Sequence, residues 1–305
     1  MTAEILLIFF GVRGSCPCSG LVFSKYGGNT SCVLLRILNK DTQTNIIFDL
    51  GTGLRYLGNY LAFQNTLKDK PSKKLRATAF VSHLHWDHIQ GLPFFPQVDD
   101  PDTVLDVYGP VDENVSLDEL YKRIMTEPFF PVGVNDLNAK ITFYGLRSGS
   151  EINLGHVNIK ALKVPHLGPL TLGYRISTFG KTITFISDHQ MPADGNLIAP
   201  EVLELAKRCD LLIHDAQYTE EEFEKKPDWG HSTFGYALKI GKQAGAKTLV
   251  LYHHDPSHTD DILDKIALQA KALISAEASE MNVLMAKDGM IINLTNGLVS
   301  QAEPY

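Results

Sequence analysis

The chain lacks long apolar runs, is poor in cysteine and has no strongly basic stretch. None of its 305 residues falls in a segment approaching the ~18 uninterrupted apolar positions that a membrane-spanning helix needs, so no membrane partner is expected. The four cysteines, at positions 16, 18, 32 and 209, are too few for a disulfide framework and point to a reducing cytoplasm. Cys16-Pro17-Cys18 is spaced more tightly than a zinc-binding pair and reads as a tight turn. The start, MTAEILLIFFGVRGS, has neither a basic region nor a small-residue cleavage site and is expected to be a first strand rather than a signal peptide. The formal net charge is −7, and no basic run is longer than Lys73-Lys74. Long nucleic acids are held by neutralising many phosphates with Lys and Arg. No such partner is expected, whereas a small anionic substrate such as a nucleotide remains compatible. No Ser/Gly-rich linker, repeat or low-complexity segment divides the chain, which predicts a single domain over 1–305.

What is present is an ordinary globular composition, 44% hydrophobic and 21% charged. Strand-like runs rich in β-branched and aromatic residues recur, among them 4–10, 77–82, 157–164, 182–186, 210–214 and 248–252. Helical periodicity appears over 54–63, 117–125, 199–208, 233–243 and 260–279. Thr259 before Asp260 and Asp261 reads as a helix N-cap with an acidic first turn. The fold class expected is α/β, with two sheets packed together and helices outside. The segment of about 112–138 breaks the alternation and reads as a loop insert. Its Glu127-Pro128-Phe129-Phe130-Pro131-Val132 could be a lid, an oligomer contact or a loop covering the core.

Most of the chemistry is concentrated in His83-Leu84-His85-Trp86-Asp87-His88, directly after the apolar run 77–81. The whole chain has only 11 His, so chance clustering of three of them with an Asp is a poor explanation. Side chains at i and i+2 on an extended chain point the same way. His83 and His85 can therefore share one position, while Asp87 and His88 turn toward a second. That is the makings of a two-metal site, a construction suited to hydrolysis, above all at phosphorus. Other His and Asp end apolar runs: Asp49, His166, Asp188, the pair His214-Asp215, and the pair His253-His254. His231 opens a helix. A sheet gathers such strand ends along one rim.

These motifs resemble the metallo-β-lactamase superfamily. Within it they are similar to the phosphodiesterase-type branch, which includes the tRNA 3′-processing endonuclease ribonuclease Z and small cyclic-nucleotide phosphodiesterases. The resemblance runs over nearly the whole chain: GVRGS at 11–15, GGNTS at 27–31, FDLGTG at 48–53, SHLHWDHIQGLPFF at 82–95, VPH at 164–166, FISDH at 185–189, LLIHDAQY at 211–218, GHST at 230–233 and LYHH at 251–254. GVRGS, GGNTS and PFFP look more like the bacterial cyclic-nucleotide phosphodiesterases. The resemblance implies an αββα sandwich holding two divalent ions, Zn²⁺ or alternatively Mn²⁺. His83, His85 and His166 would hold one ion, Asp87, His88 and His253 the other, and Asp188 would bridge them. Spacing leaves His253 and His254 open as ligands, and the family pattern favours His253. His231, oriented by Asp215, would be a phosphate contact or proton donor, so Asp87, His231 and Asp215 are the candidate catalytic residues.

Asp49 would either take a ligand imidazole N–H or serve the Gly51-Thr52-Gly53 turn. Arg13 would contact phosphate or lie at the surface. His189, His214, His254 and His258 default to structural or rim roles, and His156 to the surface. The expected activity is hydrolysis of a 3′,5′-cyclic nucleotide of the cAMP or cGMP type, with a ribonuclease Z-like endonuclease as the alternative and a non-catalytic metal-bound regulator as a third reading. Ribonuclease Z usually carries its tRNA-binding arm between the third His and the bridging Asp. Here only 21 residues separate His166 from Asp188. The resemblance also implies a homodimer.

Overall fold

Continuous and alternating burial sort the strands into two kinds. Leu211–Asp215 is buried throughout and Thr248–Tyr252 nearly so, as strands covered on both faces must be, whereas Val157–Lys163 alternates between buried and open positions and Lys140–Leu146 is buried only at Leu146. The computed structural model describes residues 3–40, 42–66, 74–111, 115–168 and 170–301. It divides into two compact units. One comprises Met1–Gly11, Asn29–Leu146 and Gly289–Tyr305; the other comprises Val12–Gly28 and Arg147–Asp288.

The first unit is built on an eight-stranded mixed sheet. Its strands are β1 (Glu4–Gly11), β2 (Cys32–Asn39), β3 (Thr42–Phe48), β4 (Arg76–Phe80), β5 (Val104–Pro110), β6 (Lys140–Leu146), β14 (Met290–Asn293) and β15 (Leu298–Gln301), in the order β15-β14-β1-β2-β3-β4-β5-β6. Pairing is antiparallel from β15 to β3 and parallel from β3 to β6. Helix α1 (Leu54–Thr66) packs on β1, α2 (Trp86–Ile89) is a single turn beyond β4, and α3 (Leu117–Ile124) packs on β5 and β6. The core joins Leu34, Ile47, Ala79 and Val81 to Leu54, Leu57 and Tyr121, and each Leu, Ile or Val among them is worth roughly 1.5–3 kcal/mol when removed from water. Helix α3 lies inside the expected insert, whose residues 112–114 fall outside the described ones. Ser116 caps it, its hydroxyl accepting from the Glu119 N–H at 3.2 Å. In the same segment Phe129 is 72% exposed, so it covers no core, while Phe130 meets the Phe94 ring edge-on.

The second unit carries a seven-stranded mixed sheet, with β7 (Glu151–Leu154), β8 (Val157–Lys163), β9 (Leu172–Thr178), β10 (Lys181–Ile186), β11 (Leu211–Asp215), β12 (Thr248–Tyr252) and β13 (Asn282–Met285) side by side in reverse order. Strands β7 to β10 form an antiparallel meander and β10 to β13 run parallel. Helix α4 (Pro200–Ala206) packs on β8 and β9, the short α5 (Glu220–Phe223) follows β11, α6 (Phe234–Ala244) packs on β11 and β12, and α7 (Asp260–Ala276) on β13 and α6. Thr233 caps α6 through the Tyr236 N–H at 3.0 Å, and Gly245 ends it in the left-handed conformation, φ 70°. Thr259 does stand at the N-cap of α7, but its side chain makes no capping bond. Asp260 in the first turn instead accepts the backbone N–H groups of Lys25 and Tyr26, tying the early loop to the helix. Strands β7 and β15 escape the sequence pattern because both are short and largely open to solvent. No helix among the described residues is long and apolar enough to cross a membrane.

One backbone contact decides where the His-rich segment sits. The loop 49–53 after β3 and the segment 87–91 lie against each other: Leu50 N–H donates to the His88 carbonyl and Gly91 N–H to the Leu50 carbonyl, both at 2.7 Å. A Cβ on Gly51 would lie 2.3 Å from the Asp87 oxygen, and one on Gly91 only 1.9 Å from the Gly51 oxygen. Both positions need glycine for this approach rather than for its dihedral freedom. Gly91→Ala is therefore expected to lower the unfolding free energy by about 1–3 kcal/mol in urea titrations. An unchanged midpoint would mean that the two segments are not pressed together.

Candidate metal centre

Each unit places most of its functional side chains just beyond the carboxyl ends of strands, where an α/β sheet leaves side chains open to a ligand. In the first unit β3 leads into Asp49 and β4 into Ser82 and His83. The chain then stays extended through His85, φ −67° and ψ 152°, before turning into α2. This geometry sorts the six residues into two pairs. The ring nitrogens His83 Nε2 and His85 Nδ1 lie 2.8 Å apart. Asp87 Oδ2 lies 3.0 Å from His88 Nε2. His83, Asp87 and His88 are buried, while Trp86 between them points outward, 58% exposed.

Behind these pairs sits Asp49, fully buried and in the left-handed region at φ 59°, which Asp tolerates better than most residues. Its Oδ1 accepts the Ser82 N–H at 2.7 Å. Its Oδ2 accepts the Ser31 hydroxyl and His88 Nδ1–H, each at 2.7 Å. Of the two roles open to Asp49, the structure assigns the first: it holds a ligand-type imidazole. With the proton at Nδ1, the lone pair of His88 is at Nε2, the nitrogen beside Asp87.

The second unit repeats this construction. Asp188 follows β10, Asp215 ends β11, His253 follows β12, and His231 precedes α6. His166, beyond the end of β8, donates Nδ1–H to the Gly230 carbonyl at 2.6 Å. His253 donates Nδ1–H to Gln217 Oε1 at 2.9 Å. Both rings thus carry their lone pair at Nε2. The Asp188 carboxylate lies between them, with Oδ2 3.9 Å from His166 Nε2 and Oδ1 3.4 Å from His253 Nε2. His231 places Nδ1 3.0 Å from Asp215 Oδ2 and 3.6 Å from Asp188 Oδ2, and stacks on the His253 ring. Asp215 is pinned by the N–H groups of His189 and Gln217. Ligand-type atoms of His166, Asp188 and His231, and of Asp215, His231 and His253, each fall within 4.8 Å of one another. Burial lowers the pKa of His166 and keeps the ring neutral, as a ligand must be.

His253 and His254, inseparable by spacing, have different surroundings. His253 adopts φ 61°, uncommon for a bulky residue, and a Cβ on Gly14 would lie 2.4 Å from its Nδ1. The second glycine of GVRGS thus makes room for the ring. His254 is fully buried, donates Nε2–H to the Ala286 carbonyl at 2.9 Å and meets Tyr26 edge-on. Its role is in the core. His189 and His214 form a buried pair, Nδ1 to Nε2 at 3.0 Å, and burial lowers both pKa values. Arg13 fits neither of its expected roles. It is completely buried, and its guanidinium donates to the carbonyls of Gly27, Asp255 and His258, so it braces the loops around His253.

The donors in both units are imidazole nitrogen and carboxylate oxygen, a set that suits a borderline or hard divalent cation. Three residues that hold the His rings and their partners in place are not evident from the sequence: Gln217, Ser82 and Gln190. The one signal for Gln217 is its place two residues after Asp215 within LLIHDAQY.

The fold and these His and Asp sets define the class of metal-dependent hydrolases. Within that class the chain belongs to the β-lactamase superfamily, whose "Beta-lactamase superfamily domain" model matches residues 44–254. It is similar to ribonuclease Z of Lactiplantibacillus plantarum, 25% identical over 291 aligned positions that take in 81% of this chain and 88% of that protein. It is also 25% identical over 336 positions to ribonuclease Z of Methanosarcina acetivorans, covering 94% of this chain and 97% of the other. Among solved structures, the metallo-β-lactamase fold protein YhfI from Bacillus subtilis superposes with a TM-score of 0.66 at 21% identity, over 95% of this chain and 99% of that one. The expected αββα metallo-β-lactamase fold, two mixed sheets flanked by helices, is found.

Burial of His254 lowers its pKa to about 3. In an unfolded chain a His titrates near ~6.5, so between these values the unfolded state binds more protons. The stabilisation is present above about pH 6.5 and is lost as pH falls toward 3. On this group alone, metal-stripped protein is expected to be about 2 kcal/mol less stable at pH 5 than at pH 7.5 in urea unfolding. His254→Gln, which keeps a donor for the Ala286 carbonyl, is expected to flatten that slope. A slope of the same size in the variant would remove His254 as its source.

Proposed function

We propose that the chain is a phosphodiesterase of the metallo-β-lactamase superfamily, and that both units form one domain over 1–305 whose two sets of His and Asp act together on two divalent ions. The observation that carries this reading is the pairing within each set. His83 stands with His85 and Asp87 with His88, while Asp188 turns one oxygen to His166 and the other to His253. This supports His83, His85 and His166 as holders of one ion, Asp87, His88 and His253 of the second, and Asp188 as the bridge. The His-rich donors favour Zn²⁺, with Mn²⁺ second.

Two divalent ions held by such a set would supply Lewis acidity, lowering the pKa of bound water toward neutrality and offsetting charge on the phosphate. The chain supplies the rest. Asp49, Gly230 and Gln217 keep His88, His166 and His253 in the ligand tautomer. Asp215 holds Nδ1–H of His231 and so turns Nε2 the other way, the position from which a proton would be given to the leaving oxygen. The absence of any disulfide among the described residues suits a reducing cytoplasm.

For the substrate, relatives named ribonuclease Z support an RNA phosphodiester ahead of the cyclic nucleotide expected from the motifs. The expectation of no long nucleic acid is set aside with it. A net charge of −7 is a sum over the whole chain and does not report the local field that a phosphate meets. A small cyclic nucleotide stays as a second reading on one observation. The interval between His166 and Asp188 is taken up by the plain β9–β10 hairpin, closed at Phe179-Gly180, with no protruding arm among its described residues.

Protein loaded with Zn²⁺ or Mn²⁺ would be assayed on bis-p-nitrophenyl phosphate, a tRNA precursor with a 3′ trailer, cAMP and cGMP. Cleavage of the precursor supports the first substrate reading, and nucleotide turnover without it supports the second. No hydrolysis of any of the four would overturn the phosphodiesterase. His231→Ala is expected to slow turnover about 10²–10⁴-fold with metal content unchanged, whereas Asp188→Ala is expected to lose metal. Metal loss in the first variant, or full metal in the second, would show the roles to be misassigned.

A further inference from the structure

Gly230 is where the candidate ligand His166 and the candidate proton donor His231 meet in the chain. A Cβ at this position would lie 2.6 Å from His166 Cε1, and its φ is 92°, so only glycine fits. Glycine is also the residue whose backbone is least determined by its own sterics. The carbonyl that accepts His166 Nδ1–H at 2.6 Å must therefore be aimed by something other than the local chain.

The candidate for that task is Gln190, two residues after Asp188. Its side-chain oxygen accepts the Gly230 N–H at 2.7 Å. Its side-chain amide donates to the Met191 carbonyl at 2.6 Å and the Pro227 carbonyl at 2.7 Å. Two carbonyls and one N–H around one amide leave a single orientation for the group. Its backbone N–H donates to the Pro165 carbonyl at 2.7 Å, and the next N–H, of Met191, to the His231 carbonyl at 3.2 Å. Gln190 thus holds the loop before His166 and the loop 227–230, and with the Met191 N–H next to it the chain is held on both sides of Gly230.

We propose that Gln190 is a positioning residue that clamps the Gly230 backbone, and so sets the tautomer and aim of His166 and the placement of His231. The metal-affinity part rests on the reading of His166 as a ligand given above. A polar residue that merely ties loops together would affect melting alone. A clamp also affects the state of the His166 ring.

The test compares the parent with Gln190→Met, which keeps the shape and removes all three side-chain bonds, and Gln190→Glu, which keeps an acceptor for Gly230. Two readouts are taken below the melting temperature. One is Zn²⁺ affinity by chelator competition. The other is the hydrogen-bonded His166 Nδ1–H proton in the NMR spectrum of metal-free protein with isotope-labelled histidine. Gln190→Met is expected to weaken Zn²⁺ binding at least 10-fold, within the ~10–100-fold range of residues that orient metal ligands, and to lose or shift the Nδ1–H signal. Gln190→Glu sets a carboxylate oxygen against the Met191 and Pro227 carbonyls and is expected to weaken Zn²⁺ binding and shift the signal as well. Parent-like affinity and an unmoved signal in folded Gln190→Met would overturn the clamp. Should Gln190→Met fail to fold, Gln190→Glu decides: an unmoved signal counts against the proposal and a lost or shifted one for it. If the parent binds no Zn²⁺, the metal reading fails by itself, and the Nδ1–H signal still judges the clamp.

Discussion

A neutral imidazole has one lone pair, and the nitrogen that keeps the proton decides which side can meet a cation. Most of the detail around the His and Asp sets follows from that constraint. His88 donates its Nδ1–H to Asp49, His166 to the Gly230 carbonyl, His253 to Gln217 and His231 to Asp215. The four acceptors are of three chemical kinds: two carboxylates, a peptide carbonyl and a side-chain amide. They share one act, which is to hold Nδ1–H and turn Nε2 the other way. Because these groups are buried, each needs its own partners in turn, which is why Asp49 and Asp215 gather backbone N–H groups.

Close approach imposes the second set of requirements. Gly14 leaves room for the His253 ring, Gly51 and Gly91 let two backbones touch under Asp87, and Gly230 lies against His166. In each case a single methyl group would occupy the space of a functional atom or of the backbone that aims it. Strain adds to this: Asp49 and His253 both take positive φ, an arrangement that survives where neighbouring bonds over-determine it. The order of these segments within each sheet is ordinary α/β behaviour, with functional residues at strand carboxyl ends.

Much of the candidate site is legible in the amino-acid sequence alone. Ligand chemistry is carried by few residue types, and HLHWDH concentrates them after a strand whose burial is evident from its apolar run. The elements most visible in the sequence, such as the strand Thr248–Tyr252 and the helix beginning at Phe234, are the ones with continuous or periodic burial. The elements it hides, β7 and β15, have little or no buried face to announce them. Arg13 is misleading for a related reason. A lone arginine in sequence suggests solvent or phosphate, and only three converging carbonyls from distant positions make its burial tolerable.

By itself the sequence determined which atoms could bind a cation, the family, and the alternation of strand and helix that brings those atoms to strand ends. The tertiary structure gave His253 and His254 different surroundings, gave Asp49 its partner, and brought Gln190 and Gln217 to the residues they hold. The reason is physical. A side chain's chemistry is local to its residue, but its tautomer, rotamer and aim depend on hydrogen-bond partners that lie 36 positions away for His253 and Gln217, and 64 for His166 and Gly230.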